Sequence, residues 1–452
     1  MQFGPYSFDT GPTVLTLPGV LDQLFLDSGA SRSDYLELLK LELTCRYRWD
    51  DGTTFDAWSE PEKIRAEVER CFPHDATAFA EHMDHLARLY QASADSFLFR
   101  PFSIIRSVSS PDARRSVRLW DLLLRRTISE SVRSRFRSEK LAQVFERFAT
   151  YNGSDPFRAP SILNVIAHVE LATGIWYPRG GMGTVSDALA SRAMELGVEI
   201  RTGAEVVSLL TRNGGVVGVV LATGEVVYAD STMSNVDALW TYQNLVFRAG
   251  GRAPRRLSRA ERSLSGFLIL AAVRGRNEGL AHHNVFFVND YQQEFRSLFA
   301  DQSMPWPMTV YLSLGARTDC SLAPADGENW YILINAPPLG DRFVETTDAD
   351  RYQEMVFGRL HEFGLDPDIL WTSRLTPATF ESRDYSVGGA LYGTSSNTMS
   401  SAFFRPGHRS RSLRNLYLLG GSTHPGGGIP LAIASGRIAA RAIAARFLGG
   451  RD

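Results

Sequence analysis

Leu416-Tyr417-Leu418-Leu419-Gly420-Gly421-Ser422-Thr423-His424-Pro425-Gly426-Gly427-Gly428-Ile429-Pro430 runs directly into Leu431-Ala432-Ile433-Ala434-Ser435-Gly436-Arg437. The stretch reads as an apolar strand, a glycine-dense turn and a helix that opens on a proline. Pro430 suits a first helical position, where its missing N–H costs nothing. Glycines in the turn allow a backbone to approach a ligand closely, and the helix behind presents free N–H groups and a partial positive charge. Ala432, Ala434, Ser435, Gly436, Ala439 and Ala440 are small enough for that helix to pack tightly on a sheet. The pattern is a cradle for an electron-rich ligand edge. On spacing alone it serves equally as an ordinary strand–loop–helix.

Composition narrows the classes. The chain has 452 residues, enough for two lobes with separate cores, and a formal charge of −2, which predicts no affinity for nucleic acid. Cys45, Cys71 and Cys320 are odd in number and far apart, as suits a reducing cytoplasm rather than a disulfide framework. The start shows no charged segment followed by an apolar run, so no signal peptide is expected. Apolar stretches such as Phe267–Val273 fall well short of the ~20 residues of a spanning helix.

Further along, helical periodicity dominates from Pro61 to Glu146, with Phe79, Met83, Leu86 and Tyr90 on one face. Residues 100–147 carry eleven arginines and one lysine against five acidic residues, interleaved with apolar side chains. Such a segment either docks on an anionic membrane or is a solvated helix packed on its own protein. A helix over Thr184–Leu196 should stop at Gly197. Strands are expected at Val198–Arg201, Glu205–Leu210, Val216–Leu221 and Glu225–Tyr228, with Asn213-Gly214 as a hairpin turn. Residues 241–405 read as an α+β lobe, with strands at Phe267–Val273, Asn284–Val288, Thr309–Leu314 and Trp330–Ala336 and a helix over Tyr352–Phe363. Alternation in Val310–Leu314 fits a sheet with one buried face. Cys71, His74, His82 and His85 have a spacing that superficially suggests zinc, although the better reading is an ordinary helix face led by a capping Asp75. No G-x-S-x-G accompanies a Ser-His-Asp set, so a hydrolase has no support.

The 416–437 stretch resembles the C-terminal flavin motif of the FAD-dependent carotenoid desaturases, the phytoene desaturase-type branch of the amine oxidase superfamily. Phe8-Asp9-Thr10-Gly11-Pro12-Thr13-Val14, Phe148–Pro156, Trp176–Met182, Ser234–Asp237 and Gly388–Gly393 are similar to further elements of that family, in the same order. The resemblance implies a glutathione reductase-like α/β FAD fold with a β-meander insertion and an α+β substrate domain. It implies a discontinuous FAD domain (1–20, 160–240 and 406–452), a helical substrate or membrane region (21–159) and a substrate domain (241–405). FAD would be held by Gly11, Pro12, Thr13, Val206, Asn235, Gly420, Gly421, Gly427, Gly428, Ile429 and Pro430. The substrate would be a carotenoid or similar polyisoprenoid, drawn from a membrane by a cytoplasmic, peripherally bound enzyme. The electron acceptor, oxygen or a quinone, stays open, and no metal or general base is assigned.

One departure matters. The family opens with a strand, G-x-G-x-x-G, a helix and a Glu-terminated strand, and none of these occurs in the 452 residues. The resemblance therefore implies a flavin-ring site without its main ADP anchor. Two explanations follow: a desaturase whose opening βαβ unit lies outside these residues, or a non-catalytic carotenoid- or lipid-binding relative. The family's hydroxycarotenoid 3,4-desaturases share the same signatures and are an equal alternative within the first.

Overall fold

The computed structural model describes residues 1–93, 126–340 and 349–447. Most of the basic segment 100–147, residues 100–125, therefore lies outside the described residues.

Among the described residues, sixteen short to medium strands organise the chain. β1 (Gln2–Phe3) and β2 (Tyr6–Ser7) make a small hairpin, and β3 (Leu38–Lys40) pairs antiparallel with β6 (Trp176–Pro178). β4 (Leu43–Arg48) and β5 (Thr54–Trp58) join β11 (Ser265–Arg274), β12 (His283–Phe286), β13 (Val310–Leu314), β14 (Gly327–Ala336) and β15 (Asp368–Leu375) in a seven-stranded sheet. Its order is β15-β11-β14-β13-β12-β4-β5. The 21–159 stretch, expected to be helical, thus lends two strands to the 241–405 sheet, with β4 parallel to β12 through Arg46–Asn284 and Arg48–Phe286.

Burial on both sheet faces explains the unbroken apolar run in β11. Phe267, Ile269, Ala271 and Val273 face one core, closed by Tyr352, Val356 and Leu360 of the helix Ala349–Glu362. Leu268, Leu270 and Ala272 face a second core, with Tyr6, Phe8, Leu15, Tyr177 and Met182. In β13 the alternation likewise does not leave a wet face: Val310, Leu312 and Leu314 enter the first core, while Tyr311 meets the second. A third, aromatic core joins β4 and β5 to the helices Pro61–Cys71, Ala76–Ser93 and Glu139–Glu146.

The meander forms as expected from β7 (Val206–Arg212), β8 (Gly215–Leu221) and β9 (Val226–Tyr228). Asn213 (φ 50°) and Gly214 (φ 73°) make its tight turn, the positive φ pair that Asn-Gly supplies. β10 (Thr232–Ser234) runs parallel to β16 (Leu416–Leu418) as a separate pair. The helix Gly183–Glu195 ends at Gly197 with φ 84°. Val198–Arg201, expected as a strand, is irregular. A strand needs a neighbour for its backbone groups, and none of the described residues pairs there.

Asp75 also differs from expectation. Its carboxylate oxygens accept the Arg137 and Ser138 N–H groups at 2.7 and 2.8 Å instead of capping its own helix. It thereby ties that helix to the next one, for which Ser138 is the cap.

Candidate functional site

β16 ends in the glycine turn, and β10 ends beside it at Asn235. Gly420 has φ 97°, and a Cβ there would fall 2.5 Å from Asn235 Oδ1, so the two residues are in contact. Leu419 N–H donates to Ser234 O (3.0 Å), and Ala238 N–H donates to Ser422 Oγ (2.9 Å). Ser435, from the helix Ile429–Phe447, accepts the Gly420 N–H at 3.1 Å and shares a hydrogen bond with Thr423 Oγ1 at 2.9 Å. Strand, turn and helix are therefore one hydrogen-bonded unit.

Within the turn, a Cβ on Gly421 would lie 3.5 Å from Gly427 Cα, and one on Gly427 would lie 2.4 Å from the Tyr392 ring. The opposite edge of that ring meets Gly153 at 2.8 Å by the same measure. Three signatures, Asn152-Gly153, Leu391-Tyr392 and Gly426-Gly427, thus converge on one aromatic ring. Gly428 is different: exposed, with φ 96° and no atom near its missing Cβ. The backbone at the mouth of the helix is therefore exposed, with open space beside it.

Residues 9–13 approach the same helix start. Ile429 packs on the core that holds Phe8, Leu15 and Met182. Asp9 accepts the Met182 N–H (2.8 Å) and the Tyr177 hydroxyl (2.7 Å), and burial pushes its carboxyl up against those bonds. Tyr331 donates to Gly11 O at 2.9 Å. Thr13 Oγ1 shares a hydrogen bond with Tyr311 OH (2.6 Å), which shares another with His283 Nδ1 (2.8 Å). Burial lowers the His283 pKa well below its ordinary value, so the ring is neutral. Behind Tyr311, Arg147 donates to Tyr47 OH (2.9 Å) and to Tyr151 OH (3.3 Å), and Tyr151 in turn donates to the buried Glu170.

Of the expected residues, Asn235, Gly420, Gly421, Gly427, Gly428, Ile429 and Pro430 form one cluster, and Gly11 and Thr13 are held by the sheet that faces it. Pro12 is exposed beside them. Val206 lies apart, opening β7 opposite Leu221. Its meander joins the cluster's strand through Arg414 and Asn415, just before β16, and through Leu209 and Val216, which share a core with Leu416 and Leu418. Among the described residues no three His, Cys, Asp or Glu side chains converge as metal ligands. His82 is packed edge-on against Phe136 and Phe145, which pushes its pKa down to about 3.

Arg405 went unnoticed in the sequence. It is buried under the turn, donating to Tyr392 O (2.8 Å), Thr394 O (3.1 Å) and Gly421 O (3.3 Å). In Phe404-Arg405-Pro406-Gly407 an arginine looks like a surface residue, and no local signal marks it otherwise. Tyr311 and His283 were missed because their link to Thr13 spans 298 positions in the chain.

Comparison with known proteins matches the geometry. Residues 2–444 fit the flavin containing amine oxidoreductase family. The 1-hydroxycarotenoid 3,4-desaturase of Flavobacterium sp. (strain P99-3) is 30% identical, over 97% of this chain and 90% of its own. The 4,4'-diapolycopene oxygenase of Methylomonas sp is 31% identical (96% and 88%). Hydroxyneurosporene desaturase of Rubrivivax gelatinosus is 35% identical (97% and 84%). An oxidoreductase from Methanosarcina mazei shares the fold with TM-score 0.60 and 15% identity, over 98% of this chain and 90% of that one. The turn, the open helix start and a match over nearly the whole length lead to one conclusion: the chain belongs to the flavin-containing amine oxidoreductases.

Proposed function

We propose that this protein is an FAD-dependent carotenoid desaturase. The observation that carries the reading is the Gly420–Pro430 turn, open at Gly428 and closed on Tyr392 at Gly427. Removing two hydrogens from adjacent unactivated carbons needs a hydride acceptor, which no side chain provides and which flavin supplies when bound. Gly421, Gly427, Gly428 and the first turn of the helix Ile429–Phe447 would hold the ring edge, with Asn235 bracing Gly420. Gly11 to Thr13 would flank it from the sheet side. Val206 would serve the adenine end.

The chain's own residues prepare the reaction in two ways. Leu15, Met182, Tyr311 and Tyr331 exclude water from the region beside the helix start, so a developing cation on a polyene has no solvent to attack it. Tyr311 and Thr13 offer hydroxyls that are tied to the flavin-side element and linked to the His283 imidazole. The relatives named as hydroxycarotenoid desaturases favour a narrower substrate, a carotenoid with a hydroxylated end.

The dinucleotide end calls for a further parallel strand. In β10, Thr232 and Ser234 bond to the 415–419 side, which leaves Met233 backbone groups on the free edge. Met233 on β10, Tyr228 and Val226 on β9, and Val198 and Ile200 are all exposed. A βαβ unit carrying a phosphate-binding turn would cover them. Docking on a membrane belongs to the same reading, because the substrate dissolves in lipid. Among the described residues no helix is long and apolar enough to cross a bilayer.

The test is turnover. A longer chain that adds the family's βαβ unit should purify yellow and desaturate lipid-dispersed hydroxyneurosporene or phytoene, while the 452-residue chain retains little FAD. Flavin-loaded protein that leaves every carotene unchanged would refute the substrate class, and an oxygenated end group would reassign the reaction. Stoichiometric FAD on the 452-residue chain would place a phosphate site within this sequence.

A further inference from the structure

Arg405 threads its guanidinium beneath the glycine turn. It is 8% exposed and donates to Tyr392 O, Gly421 O, Thr394 O and, at 3.5 Å, Ser396 Oγ. All four acceptors are neutral, and among the described residues no carboxylate is paired with it. Its Nε lies 3.4 Å from the position a Cβ on Gly426 would take. Two Cα–Cα steps separate Gly426 from the open backbone of Gly428, at most about 7.6 Å of chain.

A second arginine reinforces the charge. Arg262 bridges Thr394 through its backbone, donates its side chain to Leu257 O and Ala260 O, and has Nη1 buried without a partner. Asp237 is the carboxylate whose charge acts on both. It is committed to the Leu239 and Trp240 N–H groups at 2.8 and 3.0 Å, and its other oxygen approaches Gly393. Around the Gly393–Thr394 peptide lie the buried Arg405, the half-buried Arg262 and the Asp237 carboxylate, while Glu261, which accepts from Ser395 Oγ (2.9 Å) and Asn397 Nδ2 (2.7 Å), is paired with Arg158 at 3.0 Å. Burial draws the Arg405 pKa down to about 10, which still leaves it protonated at neutral pH. A buried surplus of positive charge is costly unless an anion visits the site.

We propose that Arg405 is the cation that stabilises negative charge on the flavin ring edge above the Gly420–Gly428 turn. This deepens the flavin reading and rests on it. Hydride arrival breaks a substrate C–H bond and brings two electrons and one proton to the ring, which gains one negative charge until a proton follows. Arg405 and the helix start lower the energy of that charge together, from a water-excluded site where the guanidinium needs no reorganisation. Its role is electrostatic positioning and not contact with substrate.

Sulfite and riboflavin test this without a carotenoid. Riboflavin needs no phosphate anchor. Sulfite adds its lone pair to flavin N5, forms one S–N bond and delivers the same negative charge to the ring, with no oxidant required. The 452-residue wild type should bind riboflavin, and the bound flavin should bleach at far lower sulfite than free riboflavin does. Arg405→Met should weaken sulfite binding at least tenfold and lower the two-electron midpoint potential of the bound flavin by about 30 mV, the equivalent of tenfold. Arg405→Lys should retain most of both. If Arg405→Met does not fold, Arg405→Gln, which keeps donors for the carbonyls and loses the charge, carries the same expectation. A charge-free variant that folds, binds riboflavin and keeps wild-type sulfite affinity overturns the proposal alone. A wild type that binds neither riboflavin nor FAD overturns the ring site and this proposal with it.

Discussion

Gly427 and Tyr392 leave no room between them, so a single methyl group is a sharp probe of the turn. With a Cβ placed 2.4 Å from the ring, Gly427→Ala must displace either the tyrosine or the backbone. It should destabilise the protein by about 2 kcal/mol and abolish riboflavin binding, whereas Gly407→Ala, whose Cβ meets nothing, should stay within about 0.5 kcal/mol. Denaturant unfolding of both variants separates the two cases. Glu294 gives a pH-dependent counterpart. One oxygen accepts the Thr309 N–H (3.2 Å) and hydroxyl (2.6 Å), the other has no partner, and burial raises the carboxyl to about 7. Between roughly pH 4.3 and 7 the unfolded chain has released a proton that the folded chain keeps, so stability falls as pH rises through that window and levels off above it. Glu294→Gln removes this slope. The variant should gain roughly 3 kcal/mol on wild type between pH 4 and pH 8. Parallel stability curves would mean that the carboxyl ionises as easily inside as outside.

Helix and turn are joined by one small hydroxyl. Ser435→Ala takes the acceptor from the Gly420 N–H inside the protein, while the Thr423 hydroxyl keeps its bond to Gly420 O (2.8 Å), and should cost about 1–3 kcal/mol. Thermal unfolding reads this directly, and a change below about 0.5 kcal/mol would show that water replaces the serine. Elements of this kind were legible in the sequence because their determinants are local. Asn213-Gly214 fixes its hairpin, Gly197 ends its helix, and the apolar run of β11 needs no knowledge of its neighbours. What was not legible is pairing at a distance. Nothing near Arg46 announces Asn284 as its partner, so β4 and β5 were hidden in a stretch read as helical. Val198–Arg201 shows the converse, an apolar alternation that stays irregular for want of a neighbour. The site followed the same rule: the glycines of the turn declared themselves, whereas Arg405 and the Thr13–Tyr311–His283 link depend on segments that meet only in the fold.

Across the whole molecule, the membrane reading rests on the basic segment and is testable without structural detail. Basic side chains near an anionic surface contribute about 1 kcal/mol each and are screened by salt. Liposome flotation should therefore weaken steadily with salt, and changing Arg114, Arg115, Arg118, Arg125 and Arg126 to Ser should abolish it. Unchanged flotation would move the docking face elsewhere.

The first and last helices meet. Leu21 and Phe25 of Pro18–Asp27 share a core with Val185, Ala188 and Ile433, and Arg437 pairs with Asp27 across 410 positions. During synthesis at about 5–20 residues per second, the opening helix must wait roughly 20–80 s before its partner emerges. Its apolar face remains uncovered for that time, within reach of chaperones and of other nascent chains. That part of the fold is thus completed only when residues 429–447 have emerged, and losing the helix Ile429–Phe447 would leave the apolar face of Pro18–Asp27 uncovered.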